Sequence, residues 1–356
     1  MTEAGQRWRR LLAQWTIPEP ILAAAPEDPF EIPAGLFHPR FQGCAAVSTS
    51  AAREALRPGG SVLDVGCAGG AASLPLVPPA GSITGIDANP AMIELFVRTC
   101  RQRSMSGLAL VGCWPDIAGQ VKPHDVAVSH HVAYNVSMIE DYLLSLTARA
   151  RRRVVLEVTP GHPQAQLNHL WLHFHGIQRP ETPTVNELVA VLQQLGLAPQ
   201  VESTRRPAAP TPQPRNLLVS FTRRRLCLDP TADPEIDRLL PAGFTVPPPE
   251  AVCIWWDSDP TAASQPPRPE SRDTTSPASG DQHNGGGSPA PALGPVIPAP
   301  SAGATHPVAS AALGLPHNQR NKILIGRTLT GRHHTMIGTT TTRSISHGEA
   351  HVTSYR

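Results

Sequence analysis

The chain has 356 residues, of which 40 are proline, and only 4% of its residues are aromatic. A chain of this composition does not pack along its whole length, because it has too few large apolar side chains to bury. The formal net charge of +2 argues against a protein that captures polyanions by electrostatic attraction alone.

The N-terminal residues, MTEAGQRWRRLLAQW, are charged and amphipathic and lack the apolar run and cleavage site of a secretory signal peptide. No later apolar stretch reaches the length of a membrane-spanning helix. We therefore predict a cytoplasmic protein with no membrane-embedded part. The six cysteines lack zinc-finger spacing, so we interpret them as reduced thiols and predict no metal site.

Changes in composition divide the chain into four regions. Residues 1–50 include the apolar, proline-punctuated stretch WTIPEPILAAAPEDPFEIPAGLF, and we expect this region to form a cap over the ligand cleft. Residues 51–258 alternate short apolar runs with helical stretches and are expected to form the folded domain. Residues 259–316, rich in Pro, Ser and Gly, are expected to be a disordered linker, and residues 317–356 a basic, unstructured tail.

Within the domain, strands and helices alternate in the order typical of a doubly wound α/β fold. Strands are predicted at Ser61–Val65, Ser82–Asp87, Leu108–Gly112, Asp125–Ser129, Arg153–Val158, Gln200–Ser203 and Val252–Trp256. The clearest helices are predicted at Asn89–Arg103, Met138–Arg149, Gln164–His175 and Val185–Leu195. A segment inserted before the last strand, Pro207–Phe244, is expected to form a small lid.

A glycine-rich turn follows the first predicted strand in the segment SVLDVGCAGGAASLPL. Asp64 lies near the strand end, and Gly66, Ala68 and Gly70 follow at alternate positions. Glycines at a strand-to-helix turn let the backbone approach a ligand, and the following helix presents unpaired N–H groups. A dinucleotide fingerprint requires glycine where this sequence has Ala68 and Ala71, which weakens an NAD-binding interpretation.

Two further acids follow the second and third strands. Asp87 comes about twenty residues after the glycine turn, where a carboxylate accepts hydrogen bonds from the hydroxyls of an adenosine ribose. Asp116 follows the third strand in the segment LALVGCWPDIAG. Because the carboxyl ends of parallel strands meet at one edge of a sheet, the acids at the three strand ends should face a single ligand.

This pattern resembles that of the class I S-adenosylmethionine-dependent methyltransferases. Their first motif, D/E-x-G-x-G-x-G, is matched by Asp64, Gly66, Ala68 and Gly70, and Ala68 is a departure whose methyl group narrows the space beside the cofactor. The resemblance covers about residues 51–258. It implies a Rossmann-like sheet of seven strands with the last strand antiparallel, and S-adenosylmethionine as the cofactor.

The resemblance also implies a role for each residue at the strand ends. It places Asp64 near the ammonium group of S-adenosylmethionine, directly or through water. It places Asp87, with the adjoining Ala88, at the ribose. In the same way it places Asp116 and Ile117 at the adenine ring.

The fourth strand ends at Ser129 and is followed by His130 and His131. Ligands of such sheets bind just beyond the carboxyl ends of the strands, so we assign Ser129 to the cofactor site. His130, His131 and Tyr134 are candidates for a base that removes a proton from the methyl acceptor. The alternative for either histidine is a position in the core with a satisfied hydrogen bond.

These features predict methyl transfer to a small-molecule acceptor by in-line displacement, and no nucleic-acid partner, because no nucleic-acid-binding module accompanies the domain. Two alternatives stay open. One is a noncatalytic S-adenosylmethionine-binding regulatory protein of the same fold. The other is an NAD-dependent oxidoreductase, which Asp64 and the missing glycines oppose.

Overall fold

The computed structural model describes residues 1–31, 33, 36, 46–103, 105, 107–205, 212–258 and 352–355. All of them belong to one unit of the chain, and a second unit, residues 264–309, falls outside them. The predicted disordered linker, residues 259–316, and all but four residues of the predicted basic tail therefore lie outside the described part of the chain.

The described residues form eight strands of one mixed sheet. The strands are β1 (Ser61–Val65), β2 (Ser82–Asp87), β3 (Gly107–Val111), β4 (His124–His130), β5 (Ala150–Val158), β6 (Gln200–Arg205), β7 (Glu250–Asp257) and β8 (Val352–Tyr355). Their order is β6-β7-β5-β4-β1-β2-β3-β8. β1 to β5 pair in parallel, whereas β7 is antiparallel to both β5 and β6. The predicted seven-stranded sheet with an antiparallel last strand is thus confirmed for β1 to β7.

The eighth strand extends the sheet beyond the prediction. β8 pairs antiparallel with β3, in a register that runs from Gly107↔Tyr355 to Leu110↔Val352. No strand was predicted within residues 317–356, where β8 is the stretch that the structure describes. A four-residue strand gives almost no sequence signal, and the open edge of β3 supplies pairing groups that only the folded sheet presents.

Nine helices lie within the described residues. They are α1 (Glu3–Ala13), α2 (Glu19–Ala23), α3 (Val47–Ala55), α4 (Pro90–Gln102), α5 (Ile139–Arg149), α6 (Asn168–His175), α7 (Val185–Gln194), α8 (Arg215–Arg225) and α9 (Asp233–Leu239). Their starts follow ordinary capping chemistry. The Asn89 side chain accepts a hydrogen bond from the Ala91 amide before α4, and Thr184 and Glu187 form a capping box at α7. None of these helices has the length and apolar character needed to cross a bilayer.

Helices cover both faces of the sheet. α1, α5 and α7 pack on one face, where they bury Trp8, Leu143 and Leu192. α3 and α4 cover the other face, with Ala52 and Phe96 fully buried. Because side chains alternate along a strand, successive residues of β4 contribute to opposite faces, which explains its nearly continuous apolar sequence.

A third hydrophobic cluster joins the helices outside these two layers. It combines α6, α8 and α9 with residues 17–30, and its buried members include Ile17, Trp171, Phe221 and Ile236. We call residues 15–31 together with α6, α8 and α9 the helical subdomain. The insertion predicted at Pro207–Phe244 supplies α8 and α9 of this subdomain.

The N-terminal region differs from the cap predicted for residues 1–50. α1 belongs to a helical layer of the sheet, because its apolar face carries Trp8 and Leu12, which are 0% and 5% exposed. α3 begins at Val47, before the predicted domain boundary at residue 51, and also packs on the sheet. The residues from about 15 to 31, together with Leu36, join the helical subdomain, and residues 32, 34, 35 and 37–45 lie outside the described chain.

Candidate functional site

The turn after β1 carries its backbone along the carboxyl edge of the sheet. Gly66, Ala68 and Gly70 have φ angles of 76°, 41° and 85°. A Cβ atom on Gly66 would lie 2.3 Å from Cγ2 of Val132, so both the backbone conformation and the close approach require glycine there. Ala68 adopts the left-handed region despite its methyl group, and it is the position at which the chain departs from the methyltransferase motif.

No α-helix forms between β1 and β2, a stretch in which every residue is described. The helix expected after the glycine turn is replaced by a single 3-10 turn at Leu74–Leu76. The cause is the segment's proline content, since Pro75, Pro78 and Pro79 lack backbone donors and disfavour a continuous helix. Backbone N–H groups offered to a ligand here therefore come from the turn itself.

Asp64 is fully buried and only partly satisfied. Its Oδ2 atom accepts a hydrogen bond from the Ser73 hydroxyl at 2.5 Å, whereas Oδ1 has no hydrogen-bond partner among the described residues. Burial raises the pKa of Asp64 to about 7; the Ser73 hydrogen bond opposes this rise, and the charge of Asp87 adds to it. A buried carboxylate with an unpartnered oxygen is suited to a cationic ligand group.

Asp87 connects the glycine turn to the start of α4. Its Oδ2 accepts a hydrogen bond from the Ala68 amide at 3.0 Å, and its Oδ1 accepts one from the Asn89 amide at 2.9 Å. Burial raises the pKa of Asp87, and the hydrogen bonds from the amides of Asn89, Ala68 and Ala88 oppose that rise. The carboxylate is therefore fixed at the strand end by the backbone on both sides, and it retains further lone pairs for a ligand.

The structure brings the predicted cofactor residues of the first three strands to one edge of the sheet. Asp64 pairs in register with Gly85 of β2, and Asp87 with Val111 of β3. Asp116 lies exposed in the loop after β3, and the neighbouring Ile117 is 8% exposed. The Ile117 side chain lies close to Gly112, the first residue after β3, and belongs to the hydrophobic cluster on one face of the sheet.

Ser129 faces the interior. Its hydroxyl donates a hydrogen bond to the Val65 carbonyl at 2.8 Å and lies 2.6 Å from the Tyr142 hydroxyl. The residue is 2% exposed. Because the side chain is engaged within the core, only the backbone of Ser129 is left for the predicted cofactor contact.

Tyr134 is also placed in the core. It is 3% exposed, its ring stacks on Trp8 at 5.5 Å, and its hydroxyl donates a hydrogen bond to the Thr159 carbonyl at 3.0 Å. Burial, followed by the negative charge of Glu187, holds the pKa of Tyr134 well above its ordinary value. This position argues against the predicted role of Tyr134 as a proton acceptor.

His131 is paired with a buried carboxylate. Its Nε2 atom lies 3.3 Å from Oε1 of Glu157, and its amide donates a hydrogen bond to the Glu157 carbonyl at 2.7 Å. Its φ of 59° turns the chain sharply after β4, and its side chain is 25% exposed. His130 lies opposite Glu157 in the register of β4 and β5.

Glu157 is held as a carboxylate. Its Oε2 accepts a hydrogen bond from the Ser48 hydroxyl at 2.7 Å, and the residue is 4% exposed. Burial favours the protonated acid, but the charges of His130 and His131 and the hydrogen bonds from His131 and Ser48 hold the pKa of Glu157 far below its usual range. Ser48 belongs to the first turn of α3, where the helix dipole also favours an anion.

Glu157 and Ser48 were missed by the sequence analysis. Glu157 is the single acid in the apolar run VVLEV of β5, and an isolated acid at the carboxyl end of a buried strand is the signal that could have indicated it. Ser48 gives no comparable signal, because its role depends on the packing of α3 against β5. The described residues contain no group of three or more potential metal ligands.

Comparisons with known proteins find similarity of three-dimensional structure. No protein-family model and no curated protein sequence matches the chain. The YcgJ protein of Bacillus subtilis is 17% identical, with 59% of this chain and 97% of that chain covered and a TM-score of 0.41. The magnesium protoporphyrin IX methyltransferase of Synechocystis PCC 6803, solved with bound S-adenosylhomocysteine, is 14% identical, with 56% and 74% covered and a TM-score of 0.37.

A third solved structure, a putative sarcosine dimethylglycine methyltransferase from Galdieria sulphuraria, is 15% identical, with 60% of this chain and 83% of that chain covered and a TM-score of 0.39. At this level of similarity, function has to be argued from the chain's own residues. The number of strands in β1 to β7 and the antiparallel direction of β7 are those that the sequence resemblance implies. β1 to β7 thus form a Rossmann-like sheet of seven strands with an antiparallel β7.

Proposed function

We propose that the protein transfers a methyl group from S-adenosylmethionine to a small-molecule acceptor. The observation that carries this proposal is the buried Oδ1 atom of Asp64, which has no hydrogen-bond partner among the described residues and lies next to the glycine turn. A carboxylate in that position would repel a pyrophosphate and attract an ammonium group. It thus favours an amino-acid-bearing nucleoside over a dinucleotide.

The residues at the strand ends fit the other parts of the same cofactor. Asp87 would accept the ribose hydroxyls, beside Ala88. Ile117 would offer an apolar surface to the adenine, and the exposed Asp116 would accept from its amino group. When bound, S-adenosylmethionine supplies a methyl group activated by the positive charge on sulfur, and the chain has to hold both reactants and take up any proton that is released.

We assign to His131 the role of the base that accepts the proton released by the methyl acceptor. Its imidazole is partly exposed at the carboxyl edge of the sheet, and the Glu157 carboxylate at 3.3 Å stabilises the imidazolium that forms when the ring accepts a proton. Glu157 is a positioning residue in this scheme, since it acts through His131. His130 adds to the charge balance around Glu157. Tyr134 is left out, because its hydroxyl is buried and donates to a backbone carbonyl.

The proposal is tested first by binding and then by turnover. Calorimetric titration should show micromolar binding of S-adenosylhomocysteine and no binding of NADH. Incubation with methyl-labelled S-adenosylmethionine and a small-molecule extract should then transfer label to an acceptor. Failure to bind S-adenosylhomocysteine would overturn the cofactor assignment. Binding without transfer across a broad set of extracts would favour the noncatalytic alternative.

The role of His131 is tested separately. His131→Gln should lower kcat about 10²- to 10⁴-fold with little change in the dissociation constant of S-adenosylhomocysteine. Glu157→Gln should lower kcat less than His131→Gln does, because the imidazole is kept but loses the carboxylate that stabilises the imidazolium. An undiminished rate in His131→Gln would remove this residue from the mechanism.

A further inference from the structure

We propose that Ser48 is a positioning residue for the base of methyl transfer, and that it holds Glu157 so that His131 accepts a proton on Nδ1 and not on Nε2. The inference rests on the proposed function, because it specifies how the base of that function is arranged. It depends on contacts among α3, β5 and the segment after β4, which are independent of the cofactor residues.

Three residues that are far apart in the chain meet around one carboxylate. Oε2 of Glu157 accepts a hydrogen bond from the Ser48 hydroxyl at 2.7 Å, and Oε1 lies 3.3 Å from Nε2 of His131. Ser48 and Glu157 are 1% and 4% exposed, so water has little access to replace the hydroxyl. The two oxygens of Glu157 are thus used separately, one for the helix and one for the histidine.

The contact with Glu157 determines which nitrogen of His131 carries the proton of the neutral ring. A carboxylate only accepts hydrogen bonds, so Nε2, which faces Oε1, keeps its hydrogen and the lone pair is on Nδ1. The main chain supports this arrangement, because the His131 amide donates a hydrogen bond to the Glu157 carbonyl at 2.7 Å. Nδ1 is therefore the atom that takes up the proton of the methyl acceptor.

Ser48 acts on the direction of the Glu157 carboxylate more than on its charge. Burial favours the protonated acid, but the charge of His130 and the hydrogen bond and charge of His131 hold the pKa of Glu157 far below its usual value, and the Ser48 hydrogen bond contributes least. Without the Ser48 hydroxyl, Glu157 therefore stays ionised. Its Oε2 loses the hydrogen bond that fixes the carboxylate plane toward His131.

α3 is also held on β5 at a second place. Arg153 of β5 donates one hydrogen bond to the Ala51 carbonyl at 3.0 Å and another to the Glu54 carboxylate at 2.9 Å. Ala52 of the same helix is 0% exposed, so α3 is packed by apolar contacts as well. Removal of the Ser48 hydroxyl should therefore leave α3 in place, and its effect on His131 can be measured in a folded protein.

The arrangement does not make Ser48 a nucleophile. In a serine–histidine–acid triad the hydroxyl contacts the imidazole, which removes its proton. Ser48 and His131 instead contact different oxygens of the same carboxylate. The hydroxyl proton of Ser48 is thus used to hold Glu157, and this is a positioning role.

The first test observes His131 directly and requires neither cofactor nor methyl acceptor. The full chain is labelled with ¹⁵N-histidine, and the His131 signals are identified as those missing in His131→Gln. In the neutral ring, the ¹⁵N chemical shifts should show a protonated Nε2 and an unprotonated Nδ1. In Ser48→Ala the Nε2 proton should exchange with water at least about fivefold faster, because its acceptor is no longer fixed. Ser48→Thr keeps the hydroxyl and should exchange within about twofold of the wild type.

Glu54→Gln is the matched control. It changes an acid of α3 that contacts β5 through Arg153 and not through Glu157, so exchange at His131 should change less than about twofold. If circular dichroism shows that Ser48→Thr does not fold, Ser48→Cys replaces it and should lie between the wild type and Ser48→Ala. A protonated Nδ1 in the wild type, unchanged exchange in Ser48→Ala, or equal acceleration in Glu54→Gln would each overturn the proposal.

The second test uses the acceptor that is labelled in the turnover experiment. Ser48→Ala should lower kcat about three- to thirtyfold, which is less than the effect of His131→Gln, and should leave KM and the dissociation constant of S-adenosylhomocysteine within about twofold. A wild-type kcat in Ser48→Ala refutes the positioning role and leaves the proposed function unaffected. If S-adenosylhomocysteine does not bind the wild type, the proposed function fails, and the role of Ser48 fails with it whatever the tautomer of His131.

Discussion

Asp64 combines full burial with a hydrogen-bonding position left open, and this combination makes ligand binding depend on pH. In the free protein its pKa is raised to about 7, so part of the population is protonated at neutral pH. An ammonium group favours the ionised form, and binding therefore has to release a proton below pH 7. The stability of the free protein depends on pH in the opposite direction, because the protonated carboxyl is the better buried form. Its stabilising contribution is complete below the ordinary pKa of 3.8 and is lost as the pH rises through about 7.

The affinity for S-adenosylhomocysteine should accordingly increase as pH is raised from 5.5 to 7.5, by up to about tenfold for each pH unit below 7. Calorimetric titrations in two buffers of different ionisation enthalpy would measure both the affinity and the proton released. Asp64→Asn should bind more weakly and with little dependence on pH. The same slope in both proteins would show that another group titrates.

Asp87 is proposed to bind the ligand, and its side chain also accepts a hydrogen bond from the glycine turn. Asp87→Ala removes the proposed ribose acceptor and the hydrogen bond to the Ala68 amide, so the affinity for S-adenosylhomocysteine should fall about ten- to hundredfold, or about 1.5–3 kcal/mol. Equilibrium titration measures this loss. Asp229→Ala, which removes an acid from the surface beyond α8, is the matched control and should leave the affinity unchanged. Equal affinities for the wild type and Asp87→Ala would exclude Asp87 from the site.

At the scale of elements, α1 is attached to the segment after β4 through one large side chain. Trp8 is 0% exposed, stacks on Tyr134, and donates a hydrogen bond from Nε1 to the Val136 carbonyl at 2.9 Å. The same contact supports the segment that follows β4. The helix is therefore connected to the proposed site although it contributes no residue to it.

Trp8→Ala should lower the free energy of unfolding by about 3–5 kcal/mol, because it leaves a large cavity and an unpaired carbonyl. Trp8→Phe keeps most of the packing and should cost less. Chemical denaturation monitored by circular dichroism gives both values. A loss below about 1 kcal/mol in Trp8→Ala would contradict the packing of α1 on α5, α7 and the segment after β4.

The strands were predicted well where local sequence determines them. β1 and β2 match their predicted bounds, and β3 differs by one residue at each end. The segment after the glycine turn was expected to start a helix, whereas Pro75, Pro78 and Pro79 disfavour a continuous helix there. α6 begins later than predicted, since a 3-10 turn occupies Pro163–Leu167.

The proposed functional residues could be predicted only where the local sequence at a strand end carries a recognisable motif. Asp64 and Asp87 have local motifs, and the structure brings them to the same edge. The pairing of His131 with Glu157, and the engagement of Ser129 with Val65 and Tyr142, depend on neighbours more than ten residues away in the chain. Such contacts are set by strand order and helix packing, which a single sequence does not reveal.

At the scale of the whole molecule, β8 joins the last described residues of the chain to the edge of the sheet. The deletion of all residues after Ser258 should leave the dissociation constant of S-adenosylhomocysteine within about twofold, because β8 pairs with β3 on the side away from β1. The deletion should nevertheless lower the melting temperature, by about 2–4 °C for each kcal/mol that β8 contributes.

A second truncation, which removes only residues 352–356, separates β8 from the rest of the tail. If β8 provides the stabilisation, both truncations should lower the melting temperature by the same amount in differential scanning calorimetry. A melting temperature unchanged by either truncation would show that β8 adds nothing to the stability of the sheet. A large loss of S-adenosylhomocysteine affinity would instead give the tail a part in the site.

The contact between Gly66 and Val132 links the two halves of the proposed reaction. The glycine turn has no free space toward Val132, so a shift of the turn has to displace the loop that carries His131. The two binding equilibria are then coupled reciprocally. The factor by which the nucleoside changes the dissociation constant of the acceptor equals the factor by which the acceptor changes the dissociation constant of the nucleoside.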